Sequence, residues 1–145
     1  MKKEFTTYLE SIGITGALTA RVEEIYNIYS KVFGNELEEI FVSEYLNQDG
    51  SRVYENLWFF NENFCFEAKF FLTTDDLDSD KICRSITNYT IKKNDYDMVG
   101  NVTSDKSRML LTFGFAYNRY GEMKASKENC KKLLEIFLKY ILPNY

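Results

Sequence analysis

Apolar residues along this chain change their spacing twice, and each change marks a new kind of element. In residues 3–12, Phe5, Tyr8, Leu9 and Ile12 recur at i, i+3, i+4 and i+7, the stripe of an amphipathic helix. Gly13 and Gly16 interrupt that stripe. Thr15 is then placed to cap a second helix along Leu18, Val22, Ile25, Tyr29 and Val32, ending at Gly34. Residues 1–35 therefore read as a helical hairpin or docked pair, each helix with one face to bury against the domain or a partner.

From Glu36 the period becomes that of strands. Residues 36–46 are rich in Ile, Val, Phe and Tyr and end at the turn Asn47-Gln48-Asp49-Gly50. Residues 52–60 form a second strand, and Asn61-Glu62-Asn63 the next turn. Residues 64–72 alternate, with Phe64, Phe66, Ala68, Phe70 and Leu72 on one face and Cys65, Glu67, Lys69 and Phe71 on the other. Short turns between these strands predict an antiparallel meander. Residues 73–80 are a polar break with four aspartates, and 81–86 suit a helical turn. Strands are expected at 87–93, at 96–103 (weakened by Gly100) and at 108–117, where Met109, Leu111, Phe113 and Phe115 share a face. A short strand at 122–125 follows.

The period returns to helical after Ser126, a good N-cap. The expected buried stripe is Cys130, Leu133, Leu134, Phe137, Tyr140 and Ile141, with Glu128 and Lys132, and Glu135 and Lys139, paired on the wet side. Pro143, the single proline, stops the helix. The expected fold is α+β: two N-terminal helices and an antiparallel six- or seven-stranded sheet curling toward a barrel, closed by one C-terminal amphipathic helix. Residues 1–145 read as a single domain, with 36–142 forming the sheet and its closing helix.

Three stretches carry a family likeness. They are Ser85-Ile86-Thr87-Asn88-Tyr89-Thr90-Ile91-Lys92-Lys93, Met109-Leu110-Leu111-Thr112-Phe113, and Gly121-Glu122-Met123-Lys124-Ala125-Ser126 leading into the helix of residues 130–141. In this order and hydrophobic rhythm, residues 36–142 resemble the pleckstrin-homology-like superfold in its small bacterial forms. The resemblance implies a binding domain without fixing the ligand, since that superfold hosts lipid, peptide and phosphopeptide binders. Lipid-binding members carry several cations on the first hairpin. Residues 47–52 here hold only Asp49 and Arg52, which speaks against phosphoinositides.

Charge narrows the partners. The net charge of −4 and the spread of the 18 basic residues along the chain disfavour nucleic acid and anionic membranes. Three widely spaced cysteines, Cys65, Cys83 and Cys130, fit reduced thiols of a cytoplasmic protein. Residues 1–13 are too polar for a signal peptide, and no apolar run is long enough to span a membrane.

Chemistry is harder to find. The chain has no histidine, so the His-based triads and His-ligated metal sites have no members here. Glu55, Glu62 and Glu67 share a hairpin, but Glu67 and Lys69 read as the solvent face of an alternating strand. Asp75, Asp76, Asp78 and Asp80 begin like a calcium loop, yet Lys81 and Thr87 stand where glycine and glutamate are needed. No cofactor is implied. The contact candidates are Trp58, inside Leu57-Trp58-Phe59-Phe60, together with Tyr54 and the cations Lys81, Arg84, Lys92 and Lys93. Four consecutive large apolar residues need cover on both strand faces, from the N-terminal helices or from a partner. The expected function is a non-enzymatic protein-interaction module, with a cytoplasmic immunity protein or antitoxin as the alternative and a small enzyme third.

Overall fold

Helix α1 (Lys3–Ser11) forms where the first stripe predicts it and buries Phe5 and Leu9. It stops at a turn through Gly13, whose φ of +89° is a left-handed conformation that favours glycine. A Cβ there would also stand 2.9 Å from the Tyr54 hydroxyl, so the site excludes larger residues on two counts. Helix α2 (Ala17–Phe33) follows and buries Val22, Ile25 and Tyr29. Leu18, expected on that stripe, is exposed. The computed structural model describes residues 1–33, 36–61, 64–69, 71–72, 86–90, 99–102, 108–115 and 119–144.

Strands β1 (Glu39–Leu46), β2 (Arg52–Phe60), β3 (Phe64–Lys69) and β4 (Ile86–Thr90) form one antiparallel sheet in sequence order. Strands β5 (Val99–Val102), β6 (Arg108–Phe115) and β7 (Arg119–Ser126) form a second. The expectation of a single six- or seven-stranded curled sheet is thereby corrected: among the described residues there are two separate sheets, which do not close into a barrel. The reason lies at the edge between them. A bulge at Ser43/Glu44 breaks the register of β1. The Ser43 hydroxyl then accepts the Lys124 amide at 2.9 Å, and the Glu44 carboxylate accepts the Ser126 amide at 2.6 Å. Side chains of β1 thus occupy places on β7 that backbone carbonyls would fill in a continuous sheet.

Strands β1 to β3 of the first sheet bury residues on both faces. Ile40, Val42, Leu57, Phe59, Phe66 and Ala68 pack with Phe5, Leu9, Val22, Ile25 and Tyr29 of the two N-terminal helices. Phe41, Trp58, Phe60 and Cys65 face the other way, onto Leu111, Met123 and Ala125 of the second sheet and onto the C-terminal helix. This double burial explains the unbroken run Leu57-Trp58-Phe59-Phe60, which behaves as a central strand with two cores. It also corrects the reading of Glu67 as a solvent-face residue. Glu67 is buried opposite Trp58 and accepts the Asn56 amide at 3.0 Å.

Helix α3 (Asn129–Ile136) continues as a π-helical turn (Phe137–Ile141) and a 3-10 turn (Leu142–Asn144) that contains Pro143. Ser126 is the last residue of β7, and no side chain caps the helix at Glu128. Lys127, at φ +49°, makes the bend between them. Leu133, Ile136, Tyr140 and Ile141 are buried, Cys130 and Phe137 half-buried, and Leu134 exposed. The expected stripe therefore erred at Leu134 and omitted Ile136. No helix among the described residues is long and apolar enough to cross a membrane.

Candidate functional site

Two features stand out from the rest of the core: a buried polar knot at the start of α3 and an exposed leucine ridge along it. The knot centres on Glu44, whose side chain is fully buried. Its oxygens accept the Ser126 amide (2.6 Å) and hydroxyl (2.5 Å), the Asn129 side-chain amide (3.1 Å) and Arg52 Nε (3.1 Å). Arg52 also donates to the Ile12 carbonyl at 2.8 Å and to Glu128 at 2.8 Å. Partial burial works against the Arg52 charge, but Glu128 and Glu44 outweigh it and raise the guanidinium pKa. Arg52 and Glu44 face each other because the hairpin register pairs Leu46 with Arg52 and Glu44 with Tyr54.

Asn129 and Tyr8 complete the knot. The Asn129 amide donates to the Val42 carbonyl at 3.0 Å, while the Val42 amide donates to the Tyr8 hydroxyl at 3.0 Å. Tyr8 in turn donates to Asn129 Oδ1 at 2.8 Å. Burial holds the Tyr8 pKa far above the ordinary tyrosine value, despite the opposing bond from Val42. Five elements, α1, β1, β2, β7 and α3, are tied by these side chains. A carboxylate has about four acceptor positions, and four donors already meet them. The knot therefore fastens α3 to the sheets.

Beside the knot, a cleft of about 260 Å³ opens between β1 and the β6–β7 hairpin, lined by Tyr45, Leu46, Arg108, Met109, Leu110 and Lys124 among others. Lys124 is committed to Glu55 at 3.0 Å and Glu122 at 3.5 Å, and lies over the Tyr45 ring. Burial opposes its charge, but these carboxylates prevail and raise its pKa. Among the described residues, no three His, Cys, Asp or Glu side chains are grouped to hold a metal ion.

On the outer side of α3, Leu134, Leu138 and Leu142 stand at i, i+4 and i+8 and are 46%, 53% and 44% exposed. In an α-helix a four-residue step drifts by roughly 40° around the axis. The wider π turn between Leu138 and Leu142 takes up much of that drift, keeping the leucines in line. The same wide turn lets the adjacent Tyr140 and Ile141 both point into the core. Tyr140 donates to Glu38 at 3.1 Å, and burial followed by Glu38 raises its pKa. The expected pairing of Glu128 with Lys132 is replaced: Glu128 meets Arg52, and Lys132 meets Glu39 at 2.6 Å. Glu135 and Lys139, beside the ridge, make no ion pair among the described residues.

Of the contact candidates drawn from the sequence, Trp58 and Tyr54 fall among the described residues. Trp58 is fully buried in the second core and stacks on Phe60 with centroids 6.4 Å apart. Tyr54 is half-buried and donates to the Ile12 carbonyl. Lys81, Arg84, Lys92 and Lys93 lie outside the described residues, as do Cys83 and the aspartates of 75–80. The ridge does have a sequence signal, Leu138 and Leu142 four and eight residues after Leu134, but a single-stripe reading of a helix that is apolar on two sides does not reveal it. Glu44 had a weaker signal, a lone acid inside Ile40-Phe41-Val42-Ser43-Glu44-Tyr45-Leu46. Compared with protein-family models, with curated proteins and with solved structures, the chain matches none.

Proposed function

We propose that this chain is a non-enzymatic protein-interaction module that meets an apolar helix face of its partner through the leucine ridge of α3. The observation that carries this reading is the exposure of Leu134, Leu138 and Leu142 in one row on a helix whose opposite side is core. A lone exposed leucine needs no explanation, but an aligned row does. Two features make the ridge a prepared surface. The knot of Glu44, Arg52, Asn129 and Tyr8 fixes the start of the helix, and Leu133, Ile136, Tyr140 and Ile141 fix its inner face. A surface held in place before binding loses little conformational freedom on association.

The test compares immobilised wild-type chain with its Leu138→Glu variant as baits in a lysate of the source organism, after matching their urea melts. The ridge reading expects a partner retained by the first and lost from the second. Identical sets of bound proteins on the two baits would defeat it.

A further inference from the structure

We propose that the occupant of the ridge is a second copy of this chain, its α3 lying antiparallel across the first; this rests on the ridge being a protein-binding surface. The row Leu134, Leu138 and Leu142 is an i, i+4, i+8 ridge, and two such ridges interdigitate in the commonest class of helix packing. A two-fold axis through Leu138 makes the row self-complementary. Leu134 then meets Leu142 of the second copy, and the two Leu138 side chains meet each other.

The charges beside the ridge select this orientation. Glu135 and Lys139 each follow a ridge leucine, so they lie on the same side of the row, within one turn of the axis. The two-fold sets Glu135 of each copy toward Lys139 of the other, giving two symmetric pairs. Neither residue makes an ion pair with the described residues, and both are exposed, Lys139 with its Nζ 5.1 Å from the centroid of the neighbouring Tyr140 ring. A parallel arrangement in register has its two-fold along the helices, which puts the Glu135 and Lys139 flanks of the two copies on opposite sides of the contact, so neither pair forms. Complementary charge therefore favours the antiparallel pairing.

The area sets the strength. Three half-exposed leucines and their neighbours provide well under the roughly 800 Å² per partner of a standard interface. The pairing is therefore weak and reversible: monomer at low micromolar concentration, dimer toward the millimolar range.

Sedimentation equilibrium of the full chain across that range is the test. Wild type should show a concentration-dependent monomer–dimer equilibrium, and Leu138→Glu should remain monomeric with an unchanged urea melt. Glu135→Lys should weaken association at least about fivefold, since two attractive exposed pairs become repulsive. Combining it with Lys139→Glu should restore association, because the swap recreates both pairs. A wild-type chain that stays monomeric throughout, or a dimer indifferent to Leu138→Glu, overturns the proposal. Failure of the double swap to restore association overturns the antiparallel geometry on which it rests. If the chain is monomeric while Leu138→Glu still strips a different protein from the bait, self-pairing fails and the ridge survives as a heterologous site. If neither effect is seen, both fail.

Discussion

Glu44 holds Ser126 by two hydrogen bonds at once, one from its backbone amide at 2.6 Å and one from its hydroxyl at 2.5 Å. The two residues belong to the adjoining edges of different sheets, so the contact is a side-chain substitute for a backbone ladder. It sits where β7 ends and the bend into α3 begins. The orientation of that helix is set here.

Removing either half of the buried ion pair should therefore be costly. Glu44→Ala leaves the Arg52 guanidinium, the Ser126 amide and the Asn129 side chain without their shared acceptor. A loss of about 3–5 kcal/mol is expected, as for other buried pairs deprived of one partner. In a separate cycle, Arg52→Met combined with Glu44→Gln should lose less than the sum of Arg52→Met alone and Glu44→Gln alone. Urea melts of the four proteins measure this, and strict additivity would mean that Glu44 and Arg52 do not share their energy.

Gly13 gives a second, local test. Gly13→Ala combines a left-handed backbone with a Cβ 2.9 Å from the Tyr54 hydroxyl, and should destabilise by about 1–2 kcal/mol or more. Truncating the obstacle separates the two causes. In a Tyr54→Phe background the steric part should vanish, leaving the backbone part. If the alanine costs the same in both backgrounds, the close approach contributes nothing.

The hydrophobic rhythm made the elements legible, and the limits of that reading are physical. Strand β2 begins and ends where expected because its turns are chemically explicit, with Asn47 to Gly50 before it and Asn61 after. The separation into two sheets was not legible. It depends on a bulge at Ser43/Glu44, and no spacing rule announces that an acid in an apolar run will turn to accept another strand's amide. A single apolar stripe through Leu133 puts its neighbour Leu134 inward. The π turn and the true core side, marked by Asn129, Leu133, Ile136 and Tyr140, place it outward. Trp58 reads as a contact residue in the sequence because four consecutive apolar residues need two covers. Both covers are internal, the helices on one side and the second sheet with α3 on the other.

The first hairpin should not attract phosphoinositides. Its single cation, Arg52, is held inward by Glu44, Glu128 and the Ile12 carbonyl, and Asp49 is locked onto Ser51. An anionic surface needs several free cations, each worth about 1 kcal/mol. Liposomes carrying phosphoinositides, floated at physiological salt, should leave the protein behind. Flotation abolished by Lys92→Glu with Lys93→Glu would instead assign lipid binding to that cationic stretch.

The two described thiols should differ in reactivity. Burial, and secondarily Glu67, raises the Cys65 pKa well above that of a free thiol, and the side chain is sealed in the second core. Cys130 is only half-buried and its pKa is raised, chiefly by desolvation and then by Glu44. An aromatic disulfide reagent should therefore label Cys130 from the native state and Cys65 only on unfolding. Peptide mapping after timed labelling distinguishes the sites. Equal rates would mean that the second core opens readily.

Tyr8 makes the alkaline limb of the stability curve informative. Its folded pKa is raised above the ordinary 10.0 by burial, so the folded state keeps a proton that the unfolded state releases. The resulting stabilisation is fully present below pH 10.0 and declines as pH rises from there toward the folded pKa. The slope is about 1.4 kcal/mol per pH unit for one such group. Tyr8→Phe should behave oppositely in the two ranges. At neutral pH it loses the bridge between the Val42 amide and Asn129, costing about 1–3 kcal/mol. Above pH 10.0 its stability should fall less steeply than that of wild type, so the two curves converge. Tyr140 and the other groups with raised pKa values contribute to both proteins alike, which makes the difference specific to Tyr8. Urea melts across this range supply the comparison, and curves that stay parallel would mean that the Tyr8 phenol is open to solvent and base.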